Sequence, residues 1–255
     1  MTRLRTWMAY SSAGRGAVIF MWNIRCLVYE FFHTRSFQEF INNRFKDENK
    51  FIINSKYVSH LVMKNGDLFY PSEDVGSSNS VLEEYKFDDI RKDDIVIDIG
   101  ANIGGFSIPA SRMSNHVYAV EPFMIKELRE NISLNKRDIQ VIEGALGNGD
   151  IMEVKWKGIH KEIKTMTLSD IKGYCGGCDF LKLDCEGCEW FIKPDELKGI
   201  RRIEMEVHKV DKQSFSKMDN ILKQTGFNYS FNERSGRGGE FDVLWLVHAA
   251  NPNMV

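Results

Sequence analysis

The chain has no large charge excess of either sign, no apolar run long enough to cross a bilayer, no internal repeat and no low-complexity tract. A net charge of −2 at pH 7 removes any general electrostatic pull toward polyanions, so nucleic acid is not an expected partner. The apolar stretch Ala17 to Ile24 follows Arg3 and Arg5 but is interrupted by Arg25. It falls far short of the ~20 residues that a spanning helix needs, and no clear small-residue cleavage site follows it. It reads as an apolar helix docked on a domain. Cysteine is sparse and odd in number, at five residues. Cys175 with Cys178 and Cys185 with Cys188 have zinc-ribbon spacing, but Asp179 to Asp184 between them reads as a strand. At ~3.3 Å per residue that strand holds Cys178 and Cys185 roughly 20 Å apart, too far to share one ion. Cys185 and Cys188 then read as packing residues. Cys175 and Cys178 read as thiols in a glycine-rich loop, where a local disulfide is allowed but not required, and a cytoplasmic location is expected.

What is present suffices for a full core: 255 residues with 43% hydrophobic content fit one domain with a modest extension. Residues 1–50 read as a helical extension. Ser36-Phe-Gln-Glu39 is a capping box, and Phe37, Phe40, Ile41 and Phe45 form one apolar stripe, suited to the main domain or to a second subunit. Residues 51–92 read as a β-hairpin and linker. Tyr57 to Met63 and Leu68 to Tyr70 flank an Asn65-Gly66 turn, then a polar loop runs from Pro71 to Ser80, and Val81 to Phe87 forms a short helix. From residue 93 apolar strands alternate with amphipathic helices: strands at 95–99, 117–120 and 139–143, helices near 103–113 and 124–135. That rhythm predicts an α/β domain with a parallel sheet over 93–255. A side hairpin begins at Ile151 to Trp156. Strands at 179–184 and 201–207, a helix at about 214–225 and a final hairpin complete the reading.

The most informative segment is Ile95 to Gly105, an apolar strand entering a glycine-rich turn with the pattern Asp98-x-Gly100-x-Asn102-x-Gly104. The glycines remove Cβ atoms that would hold the backbone away from a ligand, and Glu121, at the end of the next strand, suits two ribose hydroxyls. A dinucleotide loop would carry a middle glycine where Asn102 stands, and an anion is a poor guest beside Asp98. A nucleoside with an ammonium group and no phosphate fits better, and S-adenosylmethionine has that character. Asp98, Gly100, Asn102, Gly104 and Glu121 are the candidate cofactor residues, with Glu143 and Ala145 at the end of the third strand lining the adenine pocket.

A second motif, Phe180-Leu-Lys-Leu-Asp-Cys-Glu-Gly-Cys-Glu189, follows the cofactor half. Together with Asp98 to Gly104, Glu121-Pro122 and Ile203-Glu-Met-Glu-Val-His208, it resembles the FkbM family of S-adenosylmethionine-dependent methyltransferases over about residues 80–248. The resemblance implies a class I methyltransferase (Rossmann-like) fold: a seven-stranded, mostly parallel sheet with an antiparallel last strand. It also implies methyl transfer to a hydroxyl of a sugar, glycan or small metabolite. Cys185 and Cys188 stand where small aliphatic residues are commoner in the family.

Independently of the family, Lys182 and Asp184 share one face of a strand, as do Glu204, Glu206 and His208 on the next. Lys182 and Glu204 read as parts of a buried salt-bridge cluster, while Asp184 and His208 end their strands at the carboxyl edge, where open α/β sheets bind ligands. Attack by a hydroxyl needs a base, and Asp184, Glu186 and His208 are the catalytic candidates, with His208 favoured and Glu186 next. No metal is assigned, although the same three residues could instead hold a divalent ion that acidifies the hydroxyl. The loop Asn232 to Glu240, with Arg234 and Arg237, is expected to cover the acceptor as a lid. Two rival readings are an RNA methyltransferase and a non-catalytic scaffold. The former rests on likeness of Phe106 to Pro109, Val117 to Glu121 and Glu130 to Lys136 to the cofactor half of tRNA guanine-N1 methyltransferases.

Overall fold

The computed structural model describes residues 50–53, 58–63, 65–70, 72, 74–156, 158–208, 215–233 and 243–254. The expected helical extension, including the capping box at Ser36 and the stripe from Phe37 to Phe45, lies outside the described residues, as do Arg234 and Arg237. No helix among the described residues is long and apolar enough to cross a membrane.

Twelve strands and five α-helices follow one another along the described chain. An antiparallel sheet comes first: β1 (Lys50–Ile53), β2 (Val58–Val62) and β3 (Leu68–Phe69), with Val62 opposite Leu68 across the expected tight turn. Helix α1 (Val75–Glu84) follows. It begins inside the segment expected to be a polar loop and ends before the expected helix does. The central sheet comprises β4 (Ile95–Ile99), β5 (His116–Glu121), β6 (Gln140–Glu143), β9 (Phe180–Leu183), β10 (Arg202–His208), β11 (Asn228–Glu233) and β12 (Val243–Ala250). Its order is β11-β12-β10-β9-β4-β5-β6. Strands β6, β5, β4, β9 and β10 are mutually parallel, and β12 runs antiparallel to both β10 and β11. The expected seven-stranded sheet with its antiparallel last strand is therefore the fold. Helices α2 (Ser107–Ala110), α3 (Ile125–Leu134), α4 (Leu168–Cys175) and α5 (Phe215–Gln224) connect the strands, and β7 (Ile151–Trp156) with β8 (Ile159–Lys164) forms a separate hairpin. Helix α4 escaped the sequence reading. Its signal is the capping box of Thr167 and Asp170, a reciprocal pair that satisfies two otherwise orphan N–H groups.

Two apolar layers enclose the sheet, as a parallel sheet requires. On one face Ile97, Ile99, Leu181, Leu183, Met205 and Val207 pack with Leu168 and Ile171 of α4 and Met218 and Leu222 of α5. On the other, Val96 and Phe180 meet Phe106, Ile108, Leu128 and the N-terminal Met63 and Phe69. The small sheet is fastened to this second layer by amides of α3 and its C-cap residue. Asn135 Oδ1 accepts from Leu68 N and Asn131 Oδ1 from Tyr70 N, while Asn131 Nδ2 donates to Ile103 O in the glycine-rich turn.

The cysteines depart from expectation. Cys185 and Cys188 are joined by a disulfide rather than packing as separate residues; they flank a tight turn that brings their Cα atoms to 5.4 Å, within bonding range. Cys175 and Cys178 are free and buried in the first apolar layer. The two pairs sit at opposite ends of β9.

Burial pushes the Cys175 thiol up to about 12 and also raises that of Cys178. An unfolded thiol ionises near ~8.5, so these groups contribute stability that is complete below that pH and is lost as pH rises toward 12. Chemical denaturation at pH 8 and pH 10 should show a larger loss of stability in the parent than in the Cys175→Ala/Cys178→Ala double variant. Equal losses would contradict the buried-thiol assignment.

Candidate active site

A cavity of about 420 Å³ opens at the carboxyl ends of β4, β5 and β9. Gly100, Asn102, Glu121, Phe123 and Ala145 form one wall, Met152, Val154 and Trp156 of the β7–β8 hairpin a second, and Asp184 to Cys188 a third. The Phe123 and Trp156 rings stack with centroids 6.1 Å apart and so tie the hairpin to the end of β5. A more open groove of about 700 Å³ lies elsewhere, between Trp190 to Pro194 and α5, and gathers no comparable set of acids.

Of the seven residues expected at the cofactor, Gly100, Asn102, Glu121 and Ala145 line this cavity; Asp98, Gly104 and Glu143 do not. Asp98 is fully buried. It lies 3.0 Å from Lys182 Nζ and accepts from the Ser107 hydroxyl at 2.5 Å. Glu143 is turned to the surface, paired with Arg129 at 2.7 Å. The glycines also serve the packing of the chain on itself. A Cβ at Gly100 would stand 1.8 Å from the Asp184 carbonyl oxygen, and one at Gly104 would press on Ile108 and Leu128 side chains. Their φ values of +79° and +97° are also unfavourable for any residue with a Cβ. These glycines let the chain approach itself, and Gly100 lines the cavity as well.

Glu121 builds the turn it faces. Its Oε2 accepts from Asn102 N at 2.8 Å, and its Oε1 from Phe123 N at 2.6 Å and Met124 N at 3.0 Å. Burial raises its pKa, opposed by these three amide donors. Asn102, at φ +50°, projects from the same turn with Oδ1 buried and without a hydrogen-bond partner among the described residues.

Across the cavity, Lys182 fixes three segments at once. Its ammonium pairs with Asp98, donates to Gly100 O at 3.0 Å and stands 3.8 Å from Asp184. Burial disfavours this charge, but Asp98 and then Asp184 outweigh it and raise the pKa. Register explains the grouping, since Asp98, Lys182, Glu204 and His248 fall in one rank across four adjacent strands. The expected cluster thus divides: Lys182 pairs with Asp98, and Glu204 pairs with Arg202 at 2.5 Å and His248 at 2.6 Å.

Asp184, Glu186 and His208 come together as anticipated, but His208 is 1% exposed and lies below the cavity wall. Its Nε2 is 3.5 Å from Glu186 and 3.7 Å from Asp184. Glu189, which was not singled out from the sequence, holds it from behind. Oε1 of Glu189 accepts from His208 N at 2.5 Å and stands 3.3 Å from Nδ1, while Oε2 accepts from Gly187 N. Trp190 Nε1 donates to His208 O at 3.0 Å. The signal available was the third acid of Asp-x-Glu-Gly-x-Glu. Burial opposes charge on His208, yet Glu189, with Asp184 and Glu186, raises its pKa to about 9. His208, favoured from the sequence as the base, is thus buried beneath the two acids that line the cavity and holds a proton more tightly than a free imidazole.

No protein family matches the chain, and neither does any curated protein sequence. Among solved structures, the chain is similar to precorrin-6y C5,15-methyltransferase from Geobacter metallireducens (15% identity, TM-score 0.43, 78% of this chain and 94% of that one). It is also similar to TYW2 from M. jannaschii in complex with AdoMet (16%, 0.42, 80% and 85%) and to an rRNA methylase from Streptococcus thermophilus (12%, 0.45, 69% and 94%).

Removing one member of a buried ion pair leaves the other uncompensated. Lys182→Met should therefore destabilise the chain by ~3–5 kcal/mol. Adding Asp98→Asn should restore part of that loss, because the two side chains are directly coupled. Denaturant melts of the single and double variants decide it; additive losses would dissolve the pair.

Proposed function

We propose that the chain is an S-adenosylmethionine-dependent methyltransferase, as the FkbM resemblance implies, acting on a hydroxyl of a sugar, glycan or small metabolite. The observation that carries this reading is one cavity with two chemically different ends. At one end Glu121 and Oδ1 of Asn102, which has no hydrogen-bond partner among the described residues, offer acceptors to ribose hydroxyls and an ammonium group, beside the small Ala145 and the Phe123 ring. At the other end stand the half-exposed carboxylates Asp184 and Glu186. The fit rests on this donor set. Bound S-adenosylmethionine would supply an electrophilic methyl group on a sulfonium.

The residues would act as follows. Gly100, Asn102, Glu121 and Ala145 hold the cofactor, and Asp98 acts at one remove by fixing Lys182 and the Gly100 carbonyl. Glu186 or Asp184 takes the hydroxyl proton, both being on the cavity wall where His208 is not. The hydroxyl oxygen, its proton so removed, would take the methyl group that bound S-adenosylmethionine would supply, with the S–C bonding pair staying on sulfur as a neutral thioether. In-line displacement depends on alignment, so the rigid mounting of Asp184 by Lys182 and by its N–H bond to Ile99 O contributes as much as its basicity.

Calorimetry should show saturable S-adenosylmethionine binding. Glu121→Ala should weaken it by ~1.5–3 kcal/mol, the range for hydrogen bonds to charged groups, with a thermal melt confirming that the variant is folded. A parent chain that gives neither heat nor a shift in melting temperature with S-adenosylmethionine would end the cofactor reading. With methyl-labelled cofactor and a metabolite extract, label should enter hydroxyl-bearing small molecules or glycans; label appearing in RNA instead would overturn the acceptor class.

A further inference from the structure

We propose that Asp184, Glu186 and His208 form a site for one divalent cation in the floor of the cavity. One ligand atom from each lies within 4.8 Å of the other two. The separations of 3.5 Å and 3.7 Å from His208 Nε2 to the two acids are longer than the ~2.7–2.9 Å of a strong charge-assisted hydrogen bond. They match the edges of a coordination polyhedron: donors ~2.0–2.4 Å from a common centre, at right angles or somewhat wider, stand about 3–4 Å from one another.

A second observation lies on the far side of the ring. Glu189 is fully buried and sets its Oε1 against His208 Nδ1 while accepting from the same residue's main-chain N–H. Imidazoles that ligate metal ions almost always give their other ring nitrogen to such an oxygen acceptor, which fixes the tautomer and the ring plane. Here that arrangement leaves Nε2 facing Asp184 and Glu186. Trp190 anchors the His208 carbonyl, so the ring is positioned through both its main chain and its side chain.

The acids are arranged to match. Asp184 places Oδ2 toward Lys182 and Oδ1 toward His208, dividing its two oxygens between the structural pair and the site. Glu186 has φ +57° and is followed by Gly187 at +105°, inside the ring closed by the Cys185–Cys188 disulfide. A left-handed glutamate is costly and persists where its surroundings impose it, often at a ligand clamp. Two carboxylates and an imidazole suit a first-row divalent ion such as Mn²⁺. The site stands on geometry alone. The role we give it, polarising the acceptor hydroxyl beside the cofactor, rests on the methyl-transfer reading.

Mn²⁺ titrated into the full chain after chelator treatment, followed by loss of the free-ion electron paramagnetic resonance signal, should reveal one saturable site per chain. Asp184→Asn, Glu186→Gln and His208→Ala should each weaken uptake by about tenfold or more, and Glu189→Gln by about 10- to 100-fold. His208→Ala empties a buried position and could unfold the chain. Glu186→Gln alters a half-exposed group and keeps the test decisive. No saturable Mn²⁺ uptake by the parent, or unchanged uptake by Glu186→Gln, overturns the proposal. S-adenosylmethionine titrated into the chelator-treated chain separates the two readings. Cofactor binding without a Mn²⁺ site refutes the cation alone. A Mn²⁺ site in a chain that does not bind the cofactor upholds the cation and removes its catalytic role.

Discussion

The buried Lys182 ammonium is the constraint on which the site depends. Transferring such a charge from water into a sheet interior costs several kcal/mol unless it is paired and hydrogen-bonded, and this one has Asp98 and the Gly100 carbonyl on the neighbouring strand and turn. Satisfying one side chain therefore fixes the relative positions of the tip of β4, the glycine-rich turn and the start of the Asp184 segment. Gly100 is needed for the same reason. With the turn drawn onto β9, there is no room for a Cβ against the Asp184 carbonyl. Tyr85 and Lys86, just beyond α1, close this polar rank from above: the Tyr85 ring lies 5.7 Å from the ammonium and Lys86 N donates to Glu204.

The loops around the cavity share one device, a buried carboxylate that accepts main-chain N–H groups. Glu121 shapes the turn after β4 and the segment after β5; Glu189 joins the Gly187 turn to the end of β10. Such bonds are charge-assisted and stronger than neutral ones, so short loops without regular structure are held as firmly as strands. Each acid accordingly serves the backbone first, and a ligand must share it.

The sheet was legible because its signals are periodic. Runs such as Ile95–Ile99 and Phe180–Leu183, separated by amphipathic helices, leave little choice of topology once a parallel sheet is accepted. The convergence of Asp184, Glu186 and His208 was legible for the same reason, since strand ends at one edge of a parallel sheet must lie near one another. What escaped depended on contacts across strands. Nothing in the local pattern around Asp98 distinguishes a ligand-facing acid from one paired with a lysine 84 positions later, and register alone decides between them. Likewise a Cys-x-x-Cys segment does not reveal whether its turn brings the sulfurs together, and Glu189 gained its meaning only when β10 arrived beside it.

Strand β12 lies between β10 and β11, although it is made after both. During synthesis the long edge of β10 has no neighbour on that side until residues 243–250 have left the ribosome, and the hairpin formed with β11 must then be laid against it in one movement. An unpaired edge is a template for foreign strands, so this interval is when the chain is most exposed to aggregation. The order of manufacture thus places residues 243–250 in control of whether the sheet that carries the site is ever closed.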